Sequence, residues 1–314
     1  MNGIEYLQLI SNIYPIRDFS KHFREVDNIW SIFEKNGYIK PENLQIALNE
    51  RDFFHQLFDR AVKASSFNKN NIYFNFIPTK DFNALSKTTS NGDYVILFDE
   101  HLYSKLIELI HSFMILANIT LFDYERKEIY RFIEHSFATF YKKEITEDEK
   151  IEFYPLWRKI MIKDPEVFNW SAITVSVILL FIFSHEIGHC ALKHNEREKN
   201  IISDEFLNNT FLHKNEYEAD IYGFKNILKI NSNIKSNTFI NIPDDFVNMS
   251  IVYFDIMDLY FDWCKFKGIF KIKTHPEPSK RKKKIIKNCK IMETNASLYQ
   301  NIINEISLYK KSSR

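Results

Sequence analysis

The stretch SAITVSVILLFIFSHEIGHCALKH, residues 171–194, joins a run of apolar side chains to a cluster of histidines. The apolar run, Ser171 to Ser184, holds about 14 residues, whereas a membrane-spanning helix needs roughly 20. It leads directly into His185 and Glu186, which are polar. The sequence therefore predicts a buried core helix that ends in a group of ionisable side chains.

The composition is that of a packed protein with little net charge. Gly is scarce, at 6 of 314 residues, which favours helices over turn-rich sheets. A net charge of +1 provides no field to recruit nucleic acid or an anionic membrane. The three cysteines form no C-x-x-C, and the N-terminus lacks the pattern of a signal peptide. These features predict a cytoplasmic protein that binds neither membrane nor nucleic acid.

Two short segments have the pattern of β-strands. NIYFNFIP, residues 71–78, alternates and is aromatic, and DYVILFD, residues 93–99, follows an Asn-Gly turn. We expect the two to pair as antiparallel neighbours, and strand 94–98 to hold an extended substrate by edge pairing. The predicted fold class is α+β and mostly helical, with a small antiparallel sheet beside the helix that carries His185.

Most of the remaining chain has helical periodicity. Residues 4–65 show helical spacing, and no internal repeat divides the sequence. We expect a single chain, 1–314, with a soft division between N-terminal helices plus strand pair (1–121) and a helical half with the histidines (150–314). The further predicted helices cover about 103–120, 126–141, 167–195, 213–230, 245–267 and 277–290.

His185, Glu186 and His189 form the pattern H-E-x-x-H. On a helix the two histidines differ by about 40° and project from one face, so their imidazoles can chelate one zinc ion. Glu186 lies about 100° round from His185, beside the metal, where a carboxylate acts as general base on a bound water. The alternative is that both histidines are ordinary helix residues.

A catalytic zinc needs a third protein ligand. The extended pattern H-E-x-x-H-x-x-G-x-x-H is excluded, because Leu192 and Asn195 stand where it requires Gly and His. His194 is about 140° from His189 on a continuous helix, so we expect it to stay off the metal and serve in packing or capping.

The segment HKNEYEADIYGF, residues 213–224, supplies a better candidate. Glu216 and Asp220 are four residues apart and share a helix face. We predict Glu216 as the third ligand and Asp220 as hydrogen-bond acceptor from a ligand histidine. Ala219 would allow two helices to approach closely. Glu218 points away from Asp220 and is interpreted as a solvated acid.

The segment THPEPSKR, residues 274–281, provides two donors for the oxyanion of a tetrahedral intermediate. His275 and Arg281 are both predicted as catalytic residues in this sense, and the spacing does not decide between them. The alternative for a His-Pro pair is a simple turn.

Together, HEIGHCALKH, EYEAD and THPEPSKR resemble the gluzincin zinc peptidases, within them the HtpX-like and Oma-like families, and most closely the soluble phage-exclusion Lit-type peptidases. The resemblance covers about residues 173–286. It implies one Zn²⁺ held by His185, His189 and Glu216, with Glu186 as base. It also implies cleavage of a cytosolic host protein, a translation elongation factor in the known case, in abortive infection.

Two other functions fit parts of the pattern. A repressor-cleaving peptidase of the ImmA/IrrE type shares H-E-x-x-H and an E-x-x-A segment, but usually accompanies a helix-turn-helix. In a non-catalytic protein with structural zinc, Glu186 would have no chemical role. We expect a soluble zinc endopeptidase.

Overall fold

The computed structural model describes a large part of the chain. The described residues are 2, 3, 5, 6, 50–77, 84–99, 102–141, 155, 159, 160, 163–198, 205–237, 246–269, 275–289 and 297–312. The predicted helical segment before residue 50 therefore lies almost entirely outside them.

Within these ranges the chain forms helices around a small sheet, so the predicted α+β, mostly helical class is confirmed. The helices are α1 (Glu50–Ser65), α2 (Leu102–Asn118), α3 (Asp123–Tyr141), α4 (Pro165–Ala191), α5 (His194–Glu198), α6 (Glu205–Asn237), α7 (Phe246–Phe266), α8 (Pro278–Cys289) and α9 (Ser297–Ser312). The strands are β1 (Ile72–Ile77), β2 (Ala84–Thr88) and β3 (Tyr94–Asp99).

Two helices were not predicted, and one is longer than expected. The short α5 and the C-terminal α9 have no counterpart in the predicted set. Helix α6 extends beyond the predicted 213–230 at both ends, through EFLNN and NSNIKSN. Asn and Ser are poor helix formers because their side chains compete for backbone hydrogen bonds. Their abundance hides the helical pattern in these two segments.

The sheet is mixed, with strand order β1-β3-β2. β1 and β3 pair in parallel, with Ile72 opposite Tyr94, so the predicted antiparallel pairing is wrong. The reason is β2, which lies in a polar stretch and was not predicted. It pairs antiparallel to β3, with Ala84 opposite Phe98. The chain thus reverses twice between β1 and β3, and the two run in the same direction.

The same topology corrects the prediction for substrate binding. β3 is the central strand, with β1 on one side and β2 on the other. Both of its edges are hydrogen-bonded, so residues 94–98 cannot accept an extended peptide by edge pairing. The prediction that this strand holds the substrate is therefore wrong.

Helix α4 is the central element of the fold, and it packs against α1, α2, α6, α7 and β2. Asp164 caps its N-terminus, where Oδ1 accepts from the backbone N–H groups of Glu166 and Val167 at 2.9 and 3.2 Å. Pro165 follows at the first helical position, which favours initiation. The local sequence thus accounts for where this helix begins.

Helix α4 also bears on the question of a membrane. With 27 residues it is long and apolar enough to cross a bilayer, so the argument from a 14-residue apolar run underestimates its length. However, 72% of its most apolar window is buried inside the fold. That burial is consistent with the core helix of a soluble protein.

Aromatic side chains join the sheet to α4 just before its histidines. Phe183 stacks on Phe98 of β3 with ring centroids 4.8 Å apart, and it meets Phe58 of α1 edge-on at 5.7 Å. All three rings are buried in one continuous cluster of apolar residues, which extends from α1 to α9. Because Phe183 precedes His185 by two residues, this packing fixes the helix close to the candidate site.

His111 of α2 is buried far from that site. Its Nδ1 lies 3.1 Å from Ser171 Oγ of α4, and its Nε2 lies 3.4 Å from the Ile160 carbonyl oxygen. Burial lowers the pKa of His111 to about 4, although the Ile160 carbonyl and Asp164 oppose this effect. Between pH 6.5 and about pH 4 the ring is therefore neutral in the folded protein, whereas it would be charged in the unfolded chain.

We predict that His111 makes the fold acid-sensitive. The unfolded ring binds a proton below pH 6.5, while the folded ring does so only near pH 4. The free energy of unfolding should therefore fall by up to about 1.4 kcal/mol per pH unit in this window. Urea titrations at pH 7, 6 and 5 measure the free energy of unfolding. It should fall less steeply with decreasing pH for His111→Asn than for wild type, and equal pH dependences would contradict the prediction.

Candidate metal centre

The site is built where α4 and α6 cross at close range. A Cβ added to Gly223 would lie 2.9 Å from the His185 backbone nitrogen, and one added to Gly188 would lie 3.2 Å from Ala219 Cα. Ala219 is fully buried at this crossing, as its predicted role in close helix approach requires. The small residues therefore bring the acids of α6 against the histidines of α4.

Three predicted ligands meet at the crossing. His185 Nε2 and His189 Nε2 lie 3.1 Å apart. Glu216 Oε2 lies 3.6 Å from His185 Nε2, and its Oε1 lies 3.4 Å from His189 Nε2. Their ligand atoms all fall within 4.8 Å of one another, so this triad could hold a metal ion. Neither Cys190 nor His194 belongs to it.

The hydrogen bonds around the triad fit a cation. His185 Nδ1 lies 2.9 Å from Asp220 Oδ1, and His189 Nδ1 lies 2.9 Å from His194 Nδ1. With both Nδ1 atoms protonated, the two Nε2 lone pairs face each other across 3.1 Å. Glu216 Oε2 is buried and accepts no hydrogen bond from the described residues, although Arg281 Nη1 lies 3.3 Å away. A zinc-sized cation would satisfy both imidazole lone pairs and the Glu216 carboxylate at once.

Asp220 lies where the sequence predicts it, as acceptor for His185, and it has a strong second partner. Arg281 donates to both of its oxygens, from Nε at 2.8 Å and from Nη2 at 2.6 Å. Burial alone would raise the pKa of Asp220, but the charge and hydrogen bonds of Arg281 and His185 lower it. The carboxylate therefore stays ionised although it is fully buried.

Arg281 lies between the two acids of α6. Its Nη1 is 3.3 Å from Glu216 Oε2, and its guanidinium covers the Phe254 ring at 5.3 Å. Burial opposes the charge of Arg281, but Asp220 and Glu216 outweigh burial and raise its pKa. Arg281 and the histidines in turn hold the pKa of Glu216 well below its ordinary value, against the effect of burial. The two acids thus engage Arg281, and its oxyanion role stays a prediction.

The two other predicted catalytic residues border the triad. Glu186 Oε1 lies 3.8 Å from His185 Nε2, and the residue is 4% exposed. His275 Nε2 lies 3.5 Å from Glu216 Oε1, with its side chain 35% exposed. Burial and Arg281 lower the pKa of His275, against the charge of Glu216, so a neutral ring is favoured. All predicted site residues therefore meet in one place, and His275 is the most open of them to solvent.

Sequence reasoning missed the contact between His194 and His189. The 140° separation assumes one continuous helix, but α4 ends at Ala191 and Lys193 adopts a left-handed φ of 55°. The chain folds back and directs the buried His194 ring at His189, 2.9 Å away. Burial, followed by the charge of His189, lowers the pKa of His194 to about 4. His194 is therefore off the metal triad, yet bound to one of its members.

Glu218 is more than the solvated acid the sequence suggested. Its Oε2 accepts from Arg197 Nη1 at 3.2 Å and lies 3.2 Å from His194 Nε2. The interpretation failed because it placed Glu218 only relative to Asp220 on α6. The face of α6 that carries Glu218, opposite Asp220, contacts α5, a helix that was not predicted.

Fold and site together define a mainly helical α+β protein with a candidate metal centre of the H-E-x-x-H kind. The model of the Peptidase U49 family matches residues 163–302, a little under half of the chain. The matched range contains every predicted site residue, from His185 to Arg281, and it supports a peptidase, a hydrolase of peptide bonds. Searches of curated proteins and of solved structures gave no match.

We predict that Gly223→Ala destabilises the protein. In an ordinary helix this change stabilises by about 0.5–1 kcal/mol, because glycine is a poor helix former. Here the new methyl group would meet backbone atoms of α4, and such overpacking costs about 1–3 kcal/mol. Urea unfolding measures the difference. Gly188→Ala, with its nearest contact at 3.2 Å, should lose less, and a stabilised Gly223→Ala would contradict the close crossing.

Proposed function

We propose that the protein is a soluble zinc-dependent endopeptidase. The observation that carries the proposal is the convergence of His185, His189 and Glu216 at one buried point, with Glu186 beside them, inside a range that matches a peptidase family. One Zn²⁺ fits this donor set, because two imidazoles and a carboxylate are a usual zinc peptidase arrangement.

The number of ligands favours catalysis over a structural metal. Structural zinc sites are closed by four protein ligands, whereas catalytic sites use three and leave one position for water. Among the described residues, the candidate triad comprises two histidines and one glutamate. Glu186 is a buried carboxylate 3.8 Å from the candidate ligand His185, and this position suits proton transfer.

Both a bound metal ion and side chains of the protein would contribute to peptide-bond hydrolysis. A bound zinc ion supplies Lewis acidity and lowers the pKa of a coordinated water to about 7. Glu186 would take the proton from this water as it attacks the peptide carbonyl, and would return it to the leaving amine. His275, the most exposed member, could donate to the developing oxyanion. Asp220 and Arg281 would hold His185 and Glu216 in place.

The substrate is proposed from the sequence resemblance alone. The Lit-type resemblance suggests a cytosolic protein target, such as a translation factor, and a role in defence against phage.

We predict that Glu186→Gln retains zinc and loses cleavage. The amide keeps the size of the side chain but cannot accept a proton, and loss of a general base typically costs about 10²–10⁴-fold in rate. Zinc content of the purified variant and mass spectrometry of new protein N-termini in expressing cells measure the two effects. Glu166→Gln, the same change at the exposed first turn of α4, is the matched control and should cleave normally.

Three outcomes would count against this account. A Glu186→Gln protein that still produces the wild-type N-termini would exclude Glu186 as base. Wild-type protein that contains no zinc after purification and reconstitution would exclude the zinc site. Zinc binding without any new N-terminus, including during phage infection, would favour the non-catalytic alternative.

A further inference from the structure

A second hydrogen-bonded chain leads away from the candidate metal centre through His189. His189 Nδ1 lies 2.9 Å from His194 Nδ1, and His194 Nε2 lies 3.2 Å from Glu218 Oε2. His194 is fully buried, and the Glu218 side chain is 33% exposed. The chain therefore runs from the triad towards the surface.

Only one arrangement of protons satisfies this chain when His189 binds a cation. Its Nε2 faces the triad and must offer a lone pair, so its Nδ1 carries the hydrogen. That N–H can donate only if His194 Nδ1 is an acceptor, which places the hydrogen of His194 on Nε2. The His194 N–H then donates to the Glu218 carboxylate. Glu218 thus selects the tautomer of His194, and His194 selects that of His189.

The elements around His194 hold this chain in position. Arg197 Nη1 donates to Glu218 Oε2 at 3.2 Å. Asn195 Nδ2 donates to the Ser86 carbonyl of β2 at 3.2 Å, and Tyr94 of β3 donates to Glu196 at 3.2 Å. Four consecutive residues of α5, from 194 to 197, therefore form hydrogen bonds that connect the end of α4 to both α6 and the sheet.

We propose that His194 and Glu218 are positioning residues, which fix the tautomer and orientation of the His189 imidazole and thereby raise the affinity for the metal. The proposal rests on the zinc-ligand assignment of His189 above. It gives His189 the kind of support that Asp220 and Arg281 give His185. Neither His194 nor Glu218 touches the metal or the substrate in this account.

The test is the zinc affinity of variants, measured by competition with a chromophoric chelator. His194→Leu fills the space without an acceptor and should bind zinc about 10–100-fold more weakly. His194→Asn places a carbonyl oxygen near the former Nδ1 and should restore affinity to within a few fold of wild type. His111→Asn, at a buried histidine of α2 outside the site, is the control and should bind as wild type does.

A second measurement uses the wild-type protein and needs no variant to fold. Long-range ¹H–¹⁵N spectra of the zinc-loaded, ¹⁵N-histidine-labelled protein should show His194 protonated at Nε2 and His189 at Nδ1. A His194 ring protonated at Nδ1 would overturn the proposal.

The outcomes separate this proposal from the proposed function. If wild type binds no zinc, the ligand assignment and the proposal both fail. If wild type binds zinc and His194→Leu binds it equally well, only the positioning role fails. Equal weakening in His194→Leu and His194→Asn would show that the ring's bulk, and not its acceptor, matters, and this also overturns the proposal.

Discussion

The close crossing of α4 and α6 is the constraint on which the site depends. A methyl group at Gly223 would meet the His185 backbone at 2.9 Å, so the helices pack backbone against backbone. Only at this range can Glu216 reach both histidines and Asp220 reach His185. The aromatic packing of Phe183 fixes the same part of α4 from the other side. The positions of the side chains in the candidate metal centre are thus set by small residues and apolar contacts.

Electrostatics explains how so many charges are buried together. Arg281 forms ion pairs with both Asp220 and Glu216, and together with the histidines it lowers the pKa of both carboxylates, which stay ionised despite burial. Even so, two imidazole nitrogens and a buried Glu216 oxygen, paired with Arg281 only at 3.3 Å, converge on one point. Buried polar groups without partners are rare in native proteins, because each costs about 1–3 kcal/mol. Such a set of buried groups could hold a metal ion.

The sequence predicted the site better than the sheet. H-E-x-x-H and the four-residue spacing of Glu216 and Asp220 follow from helix geometry, which is local, and these side chains do meet. Strand pairing depends on distant residues, and the polar β2 reversed the expected direction of β1 and β3. His194 was misplaced for a related reason, since one left-handed residue, Lys193, redirects a side chain that helix geometry points elsewhere.

The most direct test of the central claim is X-ray absorption spectroscopy at the zinc edge on the wild-type protein loaded with one equivalent of zinc. The account predicts a first shell of nitrogen and oxygen at about 2.0–2.2 Å, with two imidazoles and no sulfur. Replacing Glu216 by Ala should remove one oxygen and keep both imidazoles. A sulfur shell near 2.3 Å, or a spectrum with fewer than two imidazoles, would contradict it.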